Sequence, residues 1–276
     1  VAGIIAGSGK KMTGVAPQAL IVSVQVFTLV DAAACGKCSL AFTSDVLRGL
    51  EWVYRNQERH RIAAVNLSLG GGRSRQACGN GSPYTRIFEL LTRAGVAAVV
   101  ASGNDGLSDA IASPACISGA VSVGASTYND KVAEFSNSAH FLDFLAPGAT
   151  ERAVDKHKGI LSSVPGTGYL RTQGTSMEAP HVAGAFAVLK SAVPEANLGQ
   201  MLRALRQTGH MVMDPRNGIA VPRIQLDAAI KYLQAEEAGM PSNPKPKSGP
   251  KPGPNMKVYD GIRVYEGGGK EDKRTK

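Results

Sequence analysis

The chain has 276 residues, 43% hydrophobic and 19% charged, with 31 Lys and Arg against 22 Asp and Glu and a net charge of +9. That balance excludes a wholly disordered or fibrous chain, and the length fits one large domain or two small ones. No apolar run approaches the ~18 residues that a membrane-spanning helix needs, so no membrane association is expected.

The sequence opens at Val1 with neither Met nor a leader, which reads as a processed product or a fragment. Gly3 to Lys11 imitates a phosphate-binding loop, but five residues separate Gly3 from Gly9, and Lys11 stands where a Mg²⁺-holding hydroxyl belongs. The expectation there is a helix end followed by a Gly-rich turn. Ala19–Phe27 reads as a buried strand with β-branched residues on both faces. Cys35, Cys38, Cys78 and Cys116 make an even set, read as two disulfides from an oxidising compartment, with three pairings open. Zinc would want a second close pair of cysteines, and Cys78 and Cys116 stand alone. A helix follows, with Ser44 as N-cap, Asp45 in its first turn and Val46, Leu47, Leu50, Val53 and Tyr54 on one face.

Ala63–Leu69, Val96–Ala101 and Ala120–Gly124 read as further strands apolar on both faces, the pattern of a parallel sheet covered by helices. Further helices are expected over about Ser176–Lys190 and Asn197–Gln207. The domain therefore reads as α/β through residue 238. Residues 239–276 read as a disordered tail rich in Pro, Gly and Lys. From residue 241 on, nine basic and four acidic side chains give the tail +5 of the net charge. It has no base-stacking pattern, so no nucleic-acid partner is expected.

The strongest chemical signal is Gly174-Thr-Ser-Met-Glu-Ala-Pro-His-Val-Ala-Gly184. A Gly-Thr turn delivers Ser176 to a helix start, where free amides and the helix dipole stabilise a nearby anion. An acyl-transfer nucleophile gains most at such a place, though an N-cap serine would look the same.

This segment resembles the nucleophile motif of subtilisin-like serine peptidases. Ala64-Val-Asn-Leu-Ser-Leu-Gly70, Ala98-Val-Val-Ala-Ser-Gly-Asn-Asp-Gly106, Ser113-Pro-Ala, Phe135-Ser-Asn, Leu145-Ala-Pro-Gly148 and Asp214-Pro-Arg-Asn-Gly218 follow in that family's order. The resemblance implies a three-layer α/β fold: a parallel sheet with helices on both faces, incomplete at its N-terminus. It implies a secreted, monomeric endopeptidase acting on polypeptides. Ser176 would be the nucleophile and Asn104 the oxyanion donor. Ser68, Leu69, Gly70, Ala101, Ser102 and Gly103 would bind substrate. No cofactor is required, and calcium is allowed as a structural ion, with no ligands identifiable.

The mechanism also needs a base and an acid that orients it. The family's base lies in a His-Gly-Thr-x-Val-Ala-Gly motif, and Val1-Ala-Gly matches only the end of it. By this reading the catalytic His and Asp precede Val1, and the chain alone is expected to be nearly inactive, with the sheet short of central strands. His181 is five residues past Ser176, roughly 7.5 Å along the helix and roughly 140° around it, out of reach of the hydroxyl. Glu178 stands where the family usually has a small residue, which keeps a non-catalytic, peptide-binding pseudoprotease as the alternative.

Overall fold

The computed structural model describes residues 1–32, 36–79, 81–148, 159–239, 256–259 and 262–265. Its first part holds α1 (Ala2–Ala6), β1 (Ser8–Gly9), β2 (Met12–Thr13), β3 (Phe27–Ala32), β4 (Gly36–Ala41) and α2 (Thr43–His60). Then come β5 (Ala64–Leu67), β6 (Gly71–Ser74), α3 (Thr85–Arg93), β7 (Ala97–Ala101), β8 (Ile111–Ser113), β9 (Ala120–Ser126) and β10 (Phe144–Pro147). The remainder is β11 (Ile160–Ser163), β12 (Tyr169–Thr172), α4 (Thr175–Ala192), α5 (Leu198–Thr208), β13 (His210–Asp214), β14 (Ile219–Arg223), α6 (Leu226–Glu237), β15 (Met256–Tyr259) and β16 (Ile262–Tyr265).

Three of the four apolar runs read from the sequence become adjacent parallel strands. β5 pairs with β7 (Val65 opposite Ala98), and β7 with β9 (Val99 opposite Val121). β10 and β14 extend the sheet to the order β13-β14-β10-β9-β7-β5. The sheet is not wholly parallel as expected: β13 runs antiparallel to β14. These two strands are joined by the tight Asp214–Gly218 turn, and a turn that short can only reverse the chain. Arg216 clamps the turn, donating to the buried Asp214 carboxylate at 2.7 Å and to the Glu134 and Ser136 carbonyls at 2.9 Å.

Side chains alternate across the sheet, and each face finds its own helices. Val99, Ala101, Val123, Phe144 and Ala146 pack with Phe186 and Leu189 of α4, Leu205 of α5 and Leu233 of α6. On the other face Ala98, Val100 and Leu145 meet Val46, Leu50 and Val53 of α2 and Phe88 and Leu91 of α3. The result is three layers. α4 is mostly apolar and buried through its middle, from Glu178 to Leu189, as a helix covered on most sides must be. Gly184 lets the N-terminal segment lie against it, because a Cβ there would come within 2.8 Å of Val15 Cβ.

Ala19–Phe27 departs from expectation. Residues 20–26 form no strand, and Leu20 is 95% exposed. Val24 and Val26 lean on α2, since a Cβ on Gly49 would meet a methyl of each at 3.1 Å. An apolar pattern does not make a strand without a neighbouring ladder. The free edge that could supply one belongs to β5, the outermost strand of the sheet on that side.

The start of α2 differs in detail: Phe42 occupies the N-cap with no side-chain bond, and Ser44 lies inside the first turn. Asn197 caps α5 through a reciprocal capping box with Gln200. The Gly3–Lys11 segment is the end of α1 followed by the β1–β2 turn. Cys78 and Cys116 form a disulfide that ties the chain after β6 to the chain after β8. No described cysteine is free, while Cys35 lies outside the described residues. Of the tail, only β15 and β16 are described beyond Gly239, pairing as an antiparallel hairpin. The disorder expected of the remaining tail lies outside the described residues.

Candidate active site

α4 starts at Gly174, whose φ of +139° is open to glycine and strained for other residues. A Cβ there would also come within 3.5 Å of Asn104 Oδ1. Asn104 ends the chain leaving β7, and its Oδ1 accepts the Thr175 N–H at 2.7 Å and the Thr175 hydroxyl at 3.0 Å. The Thr175 hydroxyl in turn accepts the Gly103 N–H at 3.2 Å. Two donors on the oxygen fix the amide orientation, so the Asn104 NH₂ group is the part left to face solvent beside the helix start. Residues 103–104 and 174–175 are thus locked together one residue from Ser176.

The third component is the chain leaving β5. Ser68 and Ser176 exchange hydrogen bonds: the Ser68 hydroxyl donates to the Ser176 carbonyl at 2.9 Å, and the Ser176 hydroxyl donates to the Ser68 carbonyl at 3.4 Å. Asn66 Nδ2 donates to Ser68 Oγ at 3.0 Å. The cause is readable in α4. Pro180 lies inside the helix, beyond its first turn, and has no N–H to give the carbonyl four residues earlier. That carbonyl belongs to Ser176, and Ser68 supplies the missing donor. The 3.4 Å bond from the Ser176 hydroxyl is long and weak, and a proton acceptor offering better geometry would displace it.

Of the sequence-derived substrate residues, Ser68, Leu69, Gly70 and Gly103 are at least partly open to solvent. Gly70 is pressed against β8, with Ser113 O 2.9 Å from where a Cβ would sit. Ala101 and Ser102 lie deeper than these four. Both are buried, and Ser102 spends its N–H on Val123, its carbonyl on Ala112 and its hydroxyl on Asn137. They stand at the C-terminal end of a central strand and support the Asn104 loop. Sequence reasoning missed Asn137 as the organiser of that loop. Its Oδ1 accepts the Asp105 and Leu107 amides, and its Nδ2 donates to Ser102 O and Asp105.

No described histidine bonds the Ser176 hydroxyl. His181 Nδ1 lies 2.8 Å from the Met177 carbonyl one turn back, and burial lowers its pKa, which keeps it neutral. His60 stacks on Trp52 and His140 packs edge-on to Phe141, while His157 lies outside the described residues. Glu178 is fully buried, and burial pushes its carboxyl well above the usual carboxylate range. Arg75 and Arg73 both grip the exposed Asp109, holding its pKa down to about 2.

A serine hydroxyl on a helix N-terminus, a fixed amide beside it and an extended segment open to solvent are the groups that half of an acyl-transfer site needs. The family model described as the Subtilase family matches residues 1–225. The chain is 33% identical over 199 residues to Subtilisin-like protease 5 of Arthroderma gypseum, covering 70% of this chain and 43% of that protein. It is 37% identical over 162 residues to the Extracellular serine proteinase of Thermus sp. strain Rt41A, covering 59% and 36%. Among solved structures it resembles a protease from Pseudoalteromonas arctica PAMC 21717, with TM-score 0.68, 29% identity and coverage of 83% and 68%. A cold adapted subtilisin-like serine proteinase follows at TM-score 0.61 and 29% identity, covering 82% and 71%. The chain spans less than half the length of these curated relatives.

Proposed function

The chain belongs to the subtilase family, and from that premise we propose that it carries the nucleophile and oxyanion half of a secreted serine endopeptidase. The observation that supports this most is the Asn104–Thr175 lock beside Ser176. In the proposed reaction Ser176 Oγ attacks the scissile carbonyl carbon and its proton passes to a base. The carbonyl oxygen gathers negative charge and accepts N–H donors from Asn104 Nδ2 and the Ser176 backbone, a helix-start amide with no intrahelical partner. Collapse of the tetrahedral adduct expels the amine, which takes up the proton. Water then releases the acyl group from Ser176. Substrate backbone would pair along Ser68–Gly70.

The base and its orienting carboxylate would come from polypeptide preceding Val1, and the same segment would supply the ladder missing between β5 and residues 20–26. Two observations favour this: no described imidazole reaches Ser176, and among the described residues no strand pairs with the outer edge of β5. The chain alone is then nearly inactive. The scale is borrowed from measurements on subtilisin, where loss of the base costs about 10⁶-fold in kcat. The chemistry calls on no cofactor. Calcium is allowed as a structural ion; among the described residues no group of three or more His, Cys, Asp or Glu could hold a metal, and no step runs through it. The extracellular assignment leans on the Cys78–Cys116 disulfide and the Thermus relative's name.

The absence of a described base and the buried Glu178 also favour a second reading, a pseudoprotease that binds peptides without cutting them. Turnover of a fluorogenic peptide by protein extended upstream with the His and Asp motifs separates the two. Hydrolysis in the extended protein supports the peptidase, and peptide binding without hydrolysis supports the second reading.

A further inference from the structure

Glu178 is the group that the proposed chemistry leaves unused. It lies two residues past Ser176 with no exposed surface, and its carboxyl oxygens meet no hydrogen-bond partner of good geometry, only the weakly placed backbone amides of Met177 and Glu178 itself. Its place exists because residue 148 is glycine: a Cβ there would overlap Oε2 and come within 2.9 Å of Cδ, with Ala125 Cβ 3.0 Å away. The elements packed against α4 offer it no countercharge. α1, β5, β7, β9 and β10 carry no acidic or basic side chain. The Val1 ammonium beside α1 bonds Ser162. α6 carries Asp227, Lys231, Glu236 and Glu237, none paired with Glu178. On α4 itself, His181 is turned to the Met177 carbonyl, and Lys190 bonds the carbonyls of Pro194 and Ala196.

We propose that Glu178 is a positioning residue that works as a neutral acid: protonated, it fills the space over Gly148 and holds the first turn of α4, and with it Ser176, against Asn104. Loss of the proton puts an unpaired charge in an apolar slot, and the turn must rearrange to bring that charge to water. The proposal rests on Ser176 being the nucleophile and adds a control on it: the site is assembled on the acid side and loosened on the alkaline side.

The direction of the pH effect follows from linkage. Burial raises the folded-state pKa above the unfolded value. Below the ordinary glutamate range both states are protonated and the full stability is present. As pH rises toward the folded value the unfolded state sheds its proton first, so stability falls, by up to about tenfold in the folding equilibrium per pH unit.

The test is urea unfolding of the full chain from about pH 5 to about pH 9, with Glu178→Gln and Glu178→Met alongside the native protein. Hydrogen exchange at Ser176–Glu178 is followed at the same pH values. The native chain is expected to lose stability relative to both variants by up to tenfold per pH unit. Protection at Ser176–Glu178 should drop before that of β7 and β9, and should persist in Glu178→Gln. Parallel profiles for native and Gln proteins would overturn the proposal, as would protection lost uniformly across the domain. The Met variant, apolar and of similar length, makes the same comparison if Gln folds poorly. Both readouts are independent of turnover, so a failure of the nucleophile assignment would show separately, in serine labelling.

Discussion

The two sides of the sheet around β5 are built from similar sequence and end in opposite states. On one side β7, β9 and β10 are covered by α4, and Val99, Val123, Phe144 and Phe186 have no exposed surface. On the other, residues 20–26 are as rich in β-branched and large apolar side chains, yet Leu20 is 95% and Ile21 and Val22 are each 45% exposed. The difference is a neighbouring strand. Burial here is a property of the pair, and the side without its partner is also the side from which the proposed base would come.

The largest expected effect breaks that comparison at the chemistry. In protein extended upstream, Ser176→Ala should lower kcat by about 10⁶, the scale measured for subtilisin, while the unextended chain should scarcely change because its rate is already near background. Next is stability. Phe186→Ala should cost about 3–5 kcal/mol in urea unfolding, and Leu20→Ala should stay within about 0.5 kcal/mol in the unextended chain. Equal costs would mean that residues 20–26 are packed after all. Asn104→Ala in the extended protein should lower kcat by about 10²–10³, again on subtilisin's scale, with KM little changed. Smallest is Asn197→Ala, which removes the α5 capping box on the well-packed side and should cost about 1 kcal/mol by thermal unfolding.

Much of the covered side was legible in the sequence. Three runs apolar on both faces became parallel strands, and Asn197 opened a helix as its type and position suggest. The Gly174–Gly184 segment pointed to a serine at a helix start on physical grounds before any resemblance was weighed. The uncovered side misled the same reasoning at Ala19–Phe27, because periodicity reports which side chains avoid water and is silent about a missing partner. The depth of Ala101 and Ser102 was not legible for a related reason: a motif names a stretch of chain, and only the fold shows which of its residues end inside the sheet. The Ser68–Ser176 exchange had a sequence signal that went unread, namely Pro180 four residues after Ser176. Glu178 was legible only as a large residue at a small-residue position, since its burial depends on Gly148, thirty residues away in sequence.

The central claim is that Ser176 is a nucleophile already set against Asn104 and waiting for its base. The most direct measurement is the rate of fluorophosphonate labelling, with the modified residue mapped by mass spectrometry, for the chain with and without polypeptide carrying the His and Asp motifs upstream of Val1. The account predicts rapid stoichiometric labelling at Ser176 alone in the extended protein and very slow labelling in the unextended chain. Equal rates in both, or a label on any other residue, would contradict it.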